Sequence, residues 1–339
     1  MMKNILITGG AGFIGVNFVK MLLNKESDVD VFNLDALTYA GNLQSLQDCM
    51  EDPRHHFIHG DIQDNEFVAK IIQENNIDGI INFAAESHVD RSIHDPDIFI
   101  KTNVMGTLNL LRNAHKFGVK RYLQVSTDEV YGSLGSEGMF TEDTNIKPNS
   151  PYSASKASAD HFVHAYHHTF GLNSVITRCS NNYGPYQFPE KMIPLCINNM
   201  LNGSSIPVYG DGMQVRDWLY VHDHCSAIWE VFNNGNTGEV YNIGGCNEKT
   251  NLELIRIMLK ILDKPESLIT FVKDRPGHDR RYAIDADKVM KSFDWKPSVI
   301  FEEGIEITVK WYLDNRDWLD NVTSGNYQNY YKEMYANRH

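Results

Sequence analysis

Short apolar runs alternate with amphipathic segments through the first half of the chain. Six runs rich in Ile, Val or aromatic residues predict buried strands at 4–8, 29–34, 56–60, 79–85, 121–126 and 173–179. Apolar positions near a 3.6-residue period predict helices at 13–24, 65–75, 97–117 and 152–170. Gly118 and Gly171 follow two of these helices and suit C-terminal caps. This alternation predicts an α/β fold with a doubly wound parallel sheet and right-handed crossovers.

The pattern changes after about residue 180. The stretch 183–194 is rich in Pro and aromatic residues, and shorter apolar runs (IPVYG, EVYNIGG) mix with predicted helices at 251–262 and 303–315. We therefore expect a nucleotide-binding domain at 1–180, with a returning segment near 212–246. Residues 181–339 are expected to form mainly a smaller mixed α/β lobe, which would cover the carboxyl ends of the strands and close a substrate cleft.

A glycine-rich segment, TGGAGFIG at 8–15, follows the first predicted strand and opens the first predicted helix. Gly9 suits the tight turn, Gly12 leaves room for a pyrophosphate, and Gly15 lets helix and strand pack closely. The free N–H groups of the helix then face the phosphates. Asp35 ends the second strand, where its carboxylate would bind the ribose hydroxyls and repel a 2′-phosphate. The segment predicts a Rossmann-type site for NAD rather than NADP.

Other strand ends extend the predicted cofactor site. Asp61 and Ile62 close the third strand and are expected beside the adenine. Ala84 and Ala85 follow the fourth strand, and their small side chains let a cofactor lie against the backbone. FAD is an alternative ligand for such a fold, but the next motif supplies groups for hydride exchange with a nicotinamide.

Tyr152 and Lys156 begin the helix predicted at 152–170, and their four-residue spacing puts both on one face. A free tyrosine has a pKa of about 10, and we expect the neighbouring ammonium to lower it. The phenolate would then take a hydroxyl proton while a hydride leaves the same carbon. An unremarkable Tyr and Lys pair is the alternative, which the preceding dinucleotide motif disfavours.

The motifs TGGAGFIG and YSASK resemble the extended branch of the short-chain dehydrogenase/reductase family over essentially the whole chain. The segment STDEVYG, from Ser126, looks like its dehydratase form because Asp128 and Glu129 stand side by side. Four further segments are similar to those of dTDP-glucose 4,6-dehydratases: AAESHVDRSI, SNNYGPYQFPEKMIP, QVRDWLYVHDH and DRPGHDRRYAID. The resemblance implies deoxysugar biosynthesis of the dTDP-rhamnose type.

The resemblance also implies roles for individual residues. The expected catalytic residues are Thr127, Asp128, Glu129, Tyr152 and Lys156. The expected cofactor residues are Gly9, Gly12, Phe13, Ile14, Gly15, Asp35, Asp61, Ile62, Ala84, Ala85, Tyr152, Lys156 and Asn182. The expected substrate residues are Ser87, His88, Thr127, Asn181, Glu190, Lys191, Pro207, Tyr209, Arg216, Asn251, Asp274, Arg275 and His278. Singly, some have plainer interpretations: Lys191 and Arg216 as surface charges, Pro207 as a turn, and Asn251 as a helix N-cap.

The implied reaction starts with proton transfer from the sugar O4 to Tyr152, assisted by Lys156 and Thr127, as the C4 hydride passes to NAD. Glu129 then removes the C5 proton while a protonated Asp128 donates to the departing O6. Hydride return to C6 gives a 4-keto-6-deoxy sugar. Another nucleotide-sugar 4,6-dehydratase and a UDP-sugar 4-epimerase remain alternatives. A non-enzymatic NAD-binding scaffold is disfavoured because the chain has all four of Tyr152, Lys156, Asp128 and Glu129.

Composition restricts the kinds of molecule that the protein is expected to bind. The formal net charge of -13 disfavours nucleic acid and anionic membranes, and an anionic ligand must meet local cations such as Lys191 and Arg216. Five scattered cysteines suggest a reducing, cytoplasmic location, and no stretch reaches the length of a membrane span. His161, His164 and His168 have helical spacing, but no carboxylate completes a metal site, so no metal is expected. The resemblance implies a homodimer formed through the helices predicted at 97–117 and 152–170.

Overall fold

The computed structural model describes residues 2–274, 277–324 and 327. The strands in this part of the chain are β1 (Asn4–Thr8), β2 (Asp30–Asp35), β3 (His55–His59), β4 (Gly79–Asn82), β5 (Arg121–Thr127), β6 (Ser174–Cys179), β7 (Asn181–Tyr183), β8 (Ile206–Tyr209), β9 (Val215–Tyr220), β10 (Val240–Ile243), β11 (Glu248–Thr250) and β12 (Ile269–Val272). The α-helices there are α1 (Phe13–Lys25), α2 (Asn65–Glu74), α3 (Val89–His94), α4 (Pro96–Phe99), α5 (Thr107–Lys116), α6 (Pro151–Phe170), α7 (Met192–Leu201), α8 (Val221–Asn234), α9 (Asn251–Ile261), α10 (Asp287–Phe293), α11 (Phe301–Asp314) and α12 (Arg316–Val322).

A seven-stranded parallel sheet in the order β3-β2-β1-β4-β5-β6-β10 forms the centre of the fold. Apolar residues of α1 and α8 pack on one face, and those of α2, α5 and α6 pack on the other. The order of strands reverses between β1 and β4, so their carboxyl ends diverge into a crevice there. The predicted doubly wound α/β fold is confirmed.

The helix predicted at 97–117 is present as an unbroken helical run at 96–116, which consists of α4, a wide π-helical segment at Ile100–Gly106, and α5. The π-helical turns were not predicted. Pro96 lacks the N–H that a continuous helix would need, and it begins α4 at the first position, where that loss costs little. Asn103 in the wide segment is bonded to both backbone groups of Glu86. The segment thus joins the helix to the loop after β4.

The other helix predictions differ by only a few residues at their ends. Gly171 is the left-handed C-cap of α6, with φ of 69°, and Gly118 has the same φ just beyond α5. Both positions match the predicted caps.

A smaller set of elements follows β6. It contains a three-stranded sheet (β11-β9-β7), a two-stranded sheet (β12-β8), and a second apolar cluster that includes α7, α9, α11 and α12. Within the segment near 212–246, α8 and β10 pack with the large sheet, whereas β9 pairs with β7 and β11. The domain boundary at residue 180 stays a prediction.

The end of the described chain is tied back to the first half and to the segment before α7. The Trp318 indole N–H donates to the Ser45 hydroxyl over 2.9 Å, and the Tyr327 hydroxyl donates to the Pro189 carbonyl over 3.0 Å. Both bonds are buried, so they fix these contacts firmly. In the part of the chain described here, no helix has the length and apolar character needed to cross a membrane.

Gly15 is expected to be essential for the contact between α1 and the loop after β1. A Cβ built there would lie 2.7 Å from the Gly10 Cα and closer still to the Gly9 carbonyl oxygen. We predict that Gly15→Ala lowers the free energy of unfolding by about 1–3 kcal/mol, the usual cost of overpacking. Chemical denaturation measures this change in the free energy of unfolding. Gly135→Ala is the control, because a Cβ at Gly135 meets nothing within 4 Å; equal losses in both variants would contradict the prediction.

Candidate active site

A large cleft lies at the carboxyl ends of the parallel strands, where the order of the sheet reverses. Its walls come from the loops after β1 to β5, the first turn of α6, and the segment between β6 and α7. Every residue predicted to hold the cofactor lines this cleft: Gly9, Gly12, Phe13, Ile14, Gly15, Asp35, Asp61, Ile62, Ala84, Ala85, Tyr152, Lys156 and Asn182. The strand ends therefore bring together residues that are far apart in sequence.

The glycine loop leaves space that a dinucleotide would fill. Gly9 has φ of 72°, which favours glycine, and a Cβ there would be 2.7 Å from the Ala84 amide nitrogen. Gly12 is the N-cap of α1, and a Cβ on it would meet only the Gly9 carbonyl oxygen, at 3.3 Å. The backbone at Gly12 is thus open to the cleft at a helix N-terminus, where a diphosphate binds favourably. The residues present fit a dinucleotide.

The carboxylate of Asp35 shapes the next part of the cleft. Its two oxygens accept hydrogen bonds from the Ala11 N–H at 2.9 Å and the Leu37 N–H at 2.8 Å. Burial raises the pKa of Asp35, and these two bonds oppose that rise. Because each carboxylate oxygen accepts more than one hydrogen bond, ribose hydroxyls still have acceptor positions.

Asp61 and Ile62 lie near the start of the loop that follows β3. The Asp61 carboxylate accepts hydrogen bonds from the backbone and side chain of Gln63, at 2.8 and 3.0 Å. Ile62 is buried, and its side chain fills the space beside Gly106. This wall is therefore apolar on one side and polar on the other, as an adenine with its ribose requires.

Tyr152 and Lys156 enter the cleft from the first turns of α6, which Ser150 caps and Pro151 begins. The Lys156 ammonium is buried and donates to the Val125 carbonyl oxygen over 2.7 Å. Tyr152 is also buried and shares a hydrogen bond with Thr127. The predicted placement of both side chains on one face of the helix is thus realised at the cleft.

The pKa of Tyr152 differs from the sequence prediction. Burial, and then the charge of Glu129, raise the pKa of Tyr152 well above its ordinary value, whereas we expected Lys156 to lower it. Burial also lowers the pKa of Lys156, although Asp160 opposes this. The prediction considered the i, i+4 spacing alone and could not include desolvation or the carboxylate on the opposite wall.

Asp128 and Glu129 lie in a 3-10 turn, Asp128–Tyr131, that follows β5 directly. Thr127 caps this turn by accepting a hydrogen bond from the Glu129 N–H, at 3.3 Å. Burial, and then the Glu129 and Asp217 carboxylates, raise the pKa of Asp128 well above its ordinary value. This favours the protonated form of Asp128 beside a second carboxyl group, an arrangement in which one group can act as an acid and the other as a base.

Asn181, Asn182, Ser87, Glu190 and Lys191 also line the cleft. The Lys191 ammonium donates to the Ser87 carbonyl oxygen over 2.8 Å, and Lys191 itself is the N-cap of α7. The Asn182 side chain donates to the Ser180 carbonyl over 3.0 Å, while its carbonyl oxygen is buried. These groups bound the part of the cleft beyond the candidate catalytic residues.

Sequence reasoning missed the partners of Glu190. Its carboxylate accepts hydrogen bonds from the Tyr39 hydroxyl at 2.9 Å and the Arg91 guanidinium at 3.1 Å. Arg91 also stacks over the Tyr39 ring, 3.8 Å from its centroid. Burial raises the pKa of Glu190, and Lys191 and Arg91 oppose this. No sequence signal could have found this group, because its members are 99 and 151 residues from Glu190.

The remaining predicted substrate residues, as far as the structure describes them, are not among the residues that line the cleft. Tyr209, on β8, donates to the Asp90 carboxylate over 3.1 Å, and Asp274 contacts His278 over 2.6 Å. Pro207 shares β8 with Tyr209, and His88, which is buried, precedes α3. Arg275 lies outside the described residues.

Three plainer interpretations are wrong. Pro207 is not in a turn, because it lies within β8 and pairs with Thr270 of β12. Arg216 is buried rather than a surface charge: it donates to the Val215 and Asp279 carbonyls and lies over the Tyr282 ring, 4.5 Å from its centroid. Asn251 is not a helix N-cap. Thr250 caps α9 instead, in a reciprocal pair with Glu253. Among the described residues, no group of His, Cys, Asp and Glu is arranged to hold a metal ion.

Known proteins resemble the chain along nearly its full length. The family described as GDP-mannose 4,6 dehydratase matches residues 6–308. A dTDP-glucose 4,6-dehydratase of Xanthomonas campestris is 52% identical, with 96% of this chain and 98% of that protein covered. Two solved dTDP-glucose 4,6-dehydratases are similar: that of Bacillus anthracis in complex with NAD (50% identity, TM-score 0.89) and that of Streptomyces venezuelae with NAD and TYD bound (48%, TM-score 0.92). Each alignment covers 94% of this chain and 99% of the other.

The protonation of Asp128 can be observed directly. Because its pKa is raised, the carboxyl group should give the infrared band of a neutral acid at neutral pH. We predict that this band is lost in Asp128→Asn. In Glu129→Gln the band should disappear at lower pH than in the parent, because removal of the neighbouring charge lowers the pKa of Asp128. The exposed Asp143→Asn is the control; a neutral-pH spectrum unchanged by Asp128→Asn would show that Asp128 is ionised.

Proposed function

Since the chain belongs to the family described as GDP-mannose 4,6 dehydratase, within the extended short-chain dehydrogenase/reductases, we propose that it is an NAD-dependent dTDP-glucose 4,6-dehydratase. It converts dTDP-glucose to dTDP-4-keto-6-deoxyglucose and water. The observation that carries this function is the adjacent pair Asp128 and Glu129 beside Tyr152 and Lys156 in one cleft, where burial raises the pKa of Asp128. Relatives that bear this name are about half identical to the chain over nearly its whole length.

NAD, when bound, supplies a hydride acceptor for C4 of the sugar and a hydride donor for C6. The residues that would hold its diphosphate are those of the glycine loop, where Gly12 opens the backbone to the cleft. Asp35 would bind the adenosine ribose, and Asn182 would lie near the nicotinamide.

Oxidation at C4 requires a base for the O4 proton, and Tyr152 takes this role. Thr127, which shares a hydrogen bond with Tyr152, orients the phenol. Lys156 is held by the Val125 carbonyl, and its positive charge favours the phenolate over the phenol. This assistance must overcome the burial and the Glu129 charge that oppose ionisation of Tyr152.

Elimination across C5 and C6 follows because a 4-ketone acidifies the C5 proton. Glu129 removes that proton, and Asp128 donates its own proton to the departing O6, which leaves as water. The two neighbouring carboxyl groups can have opposite roles because burial and mutual repulsion keep Asp128 protonated. Glu129 then returns its proton to C5 when hydride is delivered to C6.

The nucleotide sugar carries a diphosphate, which needs cations in a chain of net charge -13. Lys191 at the cleft and Arg216 on β9 are proposed to neutralise it. The other proposed substrate residues are Ser87, His88, Asn181, Glu190, Pro207, Tyr209, Asn251, Asp274, Arg275 and His278.

A homodimer is part of the proposal. The outer faces of α3, the wide segment after α4, and α6 expose large apolar side chains: Ile93, Ile100, Met105, Phe162 and Phe170 are 37–52% exposed. A second copy of the chain would cover this row, as two packed helix pairs do in a bundle. A cytoplasmic location is also proposed, supported by five cysteines that are all free thiols.

The dimer can be tested by placing a charge on this row. Ile100→Lys is predicted to shift the protein to monomers at micromolar concentration, because a desolvated ammonium at an apolar interface is costly. Analytical ultracentrifugation measures the change. Ile300→Lys serves as the control, since Ile300 is equally exposed, at 58% against 52%, but lies on the smaller lobe. A parent protein that sediments only as a monomer would refute the dimer.

The function itself is tested with Glu129→Gln, which keeps the size of the side chain but removes the base for C5. The parent should convert dTDP-glucose, in preference to UDP-glucose and CDP-glucose, to a 4-keto-6-deoxy sugar. We predict that the variant still oxidises C4, seen as absorbance of reduced cofactor, while 6-deoxy product forms about 10² to 10⁴ times more slowly.

An epimerase never breaks the C5–H bond, so its turnover would be nearly unchanged by this substitution. Glu137→Gln, in an exposed loop, is the matched control, and bound NAD should be measured in each protein. If Glu129→Gln forms 6-deoxy product at the parent rate, Glu129 is not the eliminating base. If no reduced cofactor appears, Glu129 acts in binding or oxidation instead.

A further inference from the structure

A buried chain of hydrogen bonds runs beneath the cleft and joins the two segments that carry the proposed catalytic residues. The Arg178 guanidinium pairs with the Asp160 carboxylate at 2.9 Å and donates to the Tyr131 hydroxyl at 3.0 Å. The Tyr131 hydroxyl in turn donates to the Asn242 side-chain carbonyl at 2.8 Å. All four residues are buried. None of them lines the cleft, so they do not contact substrate there.

Two of these residues lie on the same elements as the proposed catalytic residues. Tyr131 ends the 3-10 turn that contains Asp128 and Glu129, two residues after Glu129. Asp160 lies one helical turn after Lys156 on α6. Arg178, on the buried strand β6, therefore touches both the turn of the elimination pair and the helix of the oxidation pair.

The two ends of this chain are held unequally. Helix α6 has further buried anchors: the Lys156 ammonium bonds to the Val125 carbonyl, and the Ser155 hydroxyl accepts from Asn103 at 2.8 Å. The end of the 3-10 turn is held by the Lys147 N–H, which donates to the Val130 carbonyl over 3.0 Å, and by Tyr131, whose ring stacks on Phe140 with centroids 5.0 Å apart. Stacking permits sliding, whereas the two hydrogen bonds of the Tyr131 hydroxyl fix its position. The hydroxyl thus ties this end of the turn, through side-chain hydrogen bonds, to β6 and β10.

We propose that Tyr131 is a positioning residue for the elimination step, which fixes Asp128 and Glu129 relative to the sugar held against Tyr152 and Lys156. The proposal rests on the dehydratase function proposed above. Loss of the hydroxyl should leave α6 in place, and with it the oxidation of C4, because the ion pair of Arg178 with Asp160 remains. The carboxyl pair would become less well aligned with C5 and O6.

Tyr131→Phe tests this role, because it removes both hydrogen bonds and keeps the stacked ring. Tyr241→Phe is the matched control: Tyr241 is also buried, its hydroxyl accepts from the Asn236 N–H at 2.9 Å, and it precedes Asn242 on β10. Both variants, loaded with NAD, are compared with the parent on dTDP-glucose and on the same substrate deuterated at C5. Unfolding midpoints and NAD affinities are measured in parallel.

We expect kcat of Tyr131→Phe to fall about tenfold to a hundredfold, the cost of a small misplacement of reacting groups, with KM unchanged. Reduced cofactor should accumulate during turnover, and the C5 deuterium isotope effect on kcat should grow, because proton removal becomes rate-limiting. Tyr241→Phe should keep the parent's kcat, isotope effect and cofactor redox state. The unfolding midpoints and NAD affinities of the two variants should be similar.

Two results would overturn the positioning role. In one, Tyr131→Phe equals Tyr241→Phe in kcat and isotope effect. In the other, kcat falls without accumulation of reduced cofactor, which would place the defect in oxidation. A parent protein that forms no 4-keto-6-deoxy sugar from dTDP-glucose would instead refute the proposed function, and the positioning role with it.

Discussion

The hydrogen bond from the Lys156 ammonium to the Val125 carbonyl oxygen connects the large sheet to the helix that carries the proposed base. Every residue of β5 is buried, and the strand is paired on both sides, with β4 and β6. The position of the Val125 carbonyl is consequently fixed by the sheet. The next residues of the same strand lead into Thr127 and the carboxyl pair, so one strand end sets both halves of the proposed chemistry.

Burial is the second constraint, and it acts on the acids of the cleft in one direction. It raises the pKa of Asp35, Asp128, Glu190 and Glu86, while each has different neighbours. For Asp128 the next largest influences are further carboxylates, so the shift is reinforced. For Glu190 they are Lys191 and Arg91, which oppose the shift. The neighbouring charges therefore make Asp128 suited to proton donation and Glu190 suited to an ion pair.

The sequence predicted most of the sheet and the cofactor residues because those depend on local pattern. Gly9 and Gly15 are required by close backbone contacts that any chain with this turn must make. The elements it misjudged depend on distant partners. The wide segment after α4 is bonded through Asn103 to Glu86 and Ser155, and the Glu190 group is assembled from two loops and α3. The rise in the pKa of Tyr152 likewise comes from burial and a residue on another element.

The elements that follow β6 meet the cleft region through specific polar contacts. Tyr209 on β8 donates to Asp90 on α3, and the Tyr312 hydroxyl on α11 donates to the Gln187 carbonyl at 2.6 Å. Gln187 lines the cleft and donates to the Asn182 carbonyl, so this lobe supports the proposed nicotinamide end of the site. Because the Tyr312 bond holds the Gln187 backbone, a shift of α11 would move Asn182 through its bond with Gln187. Substrate binding to the smaller lobe would therefore also affect the position of the group proposed to lie beside the nicotinamide.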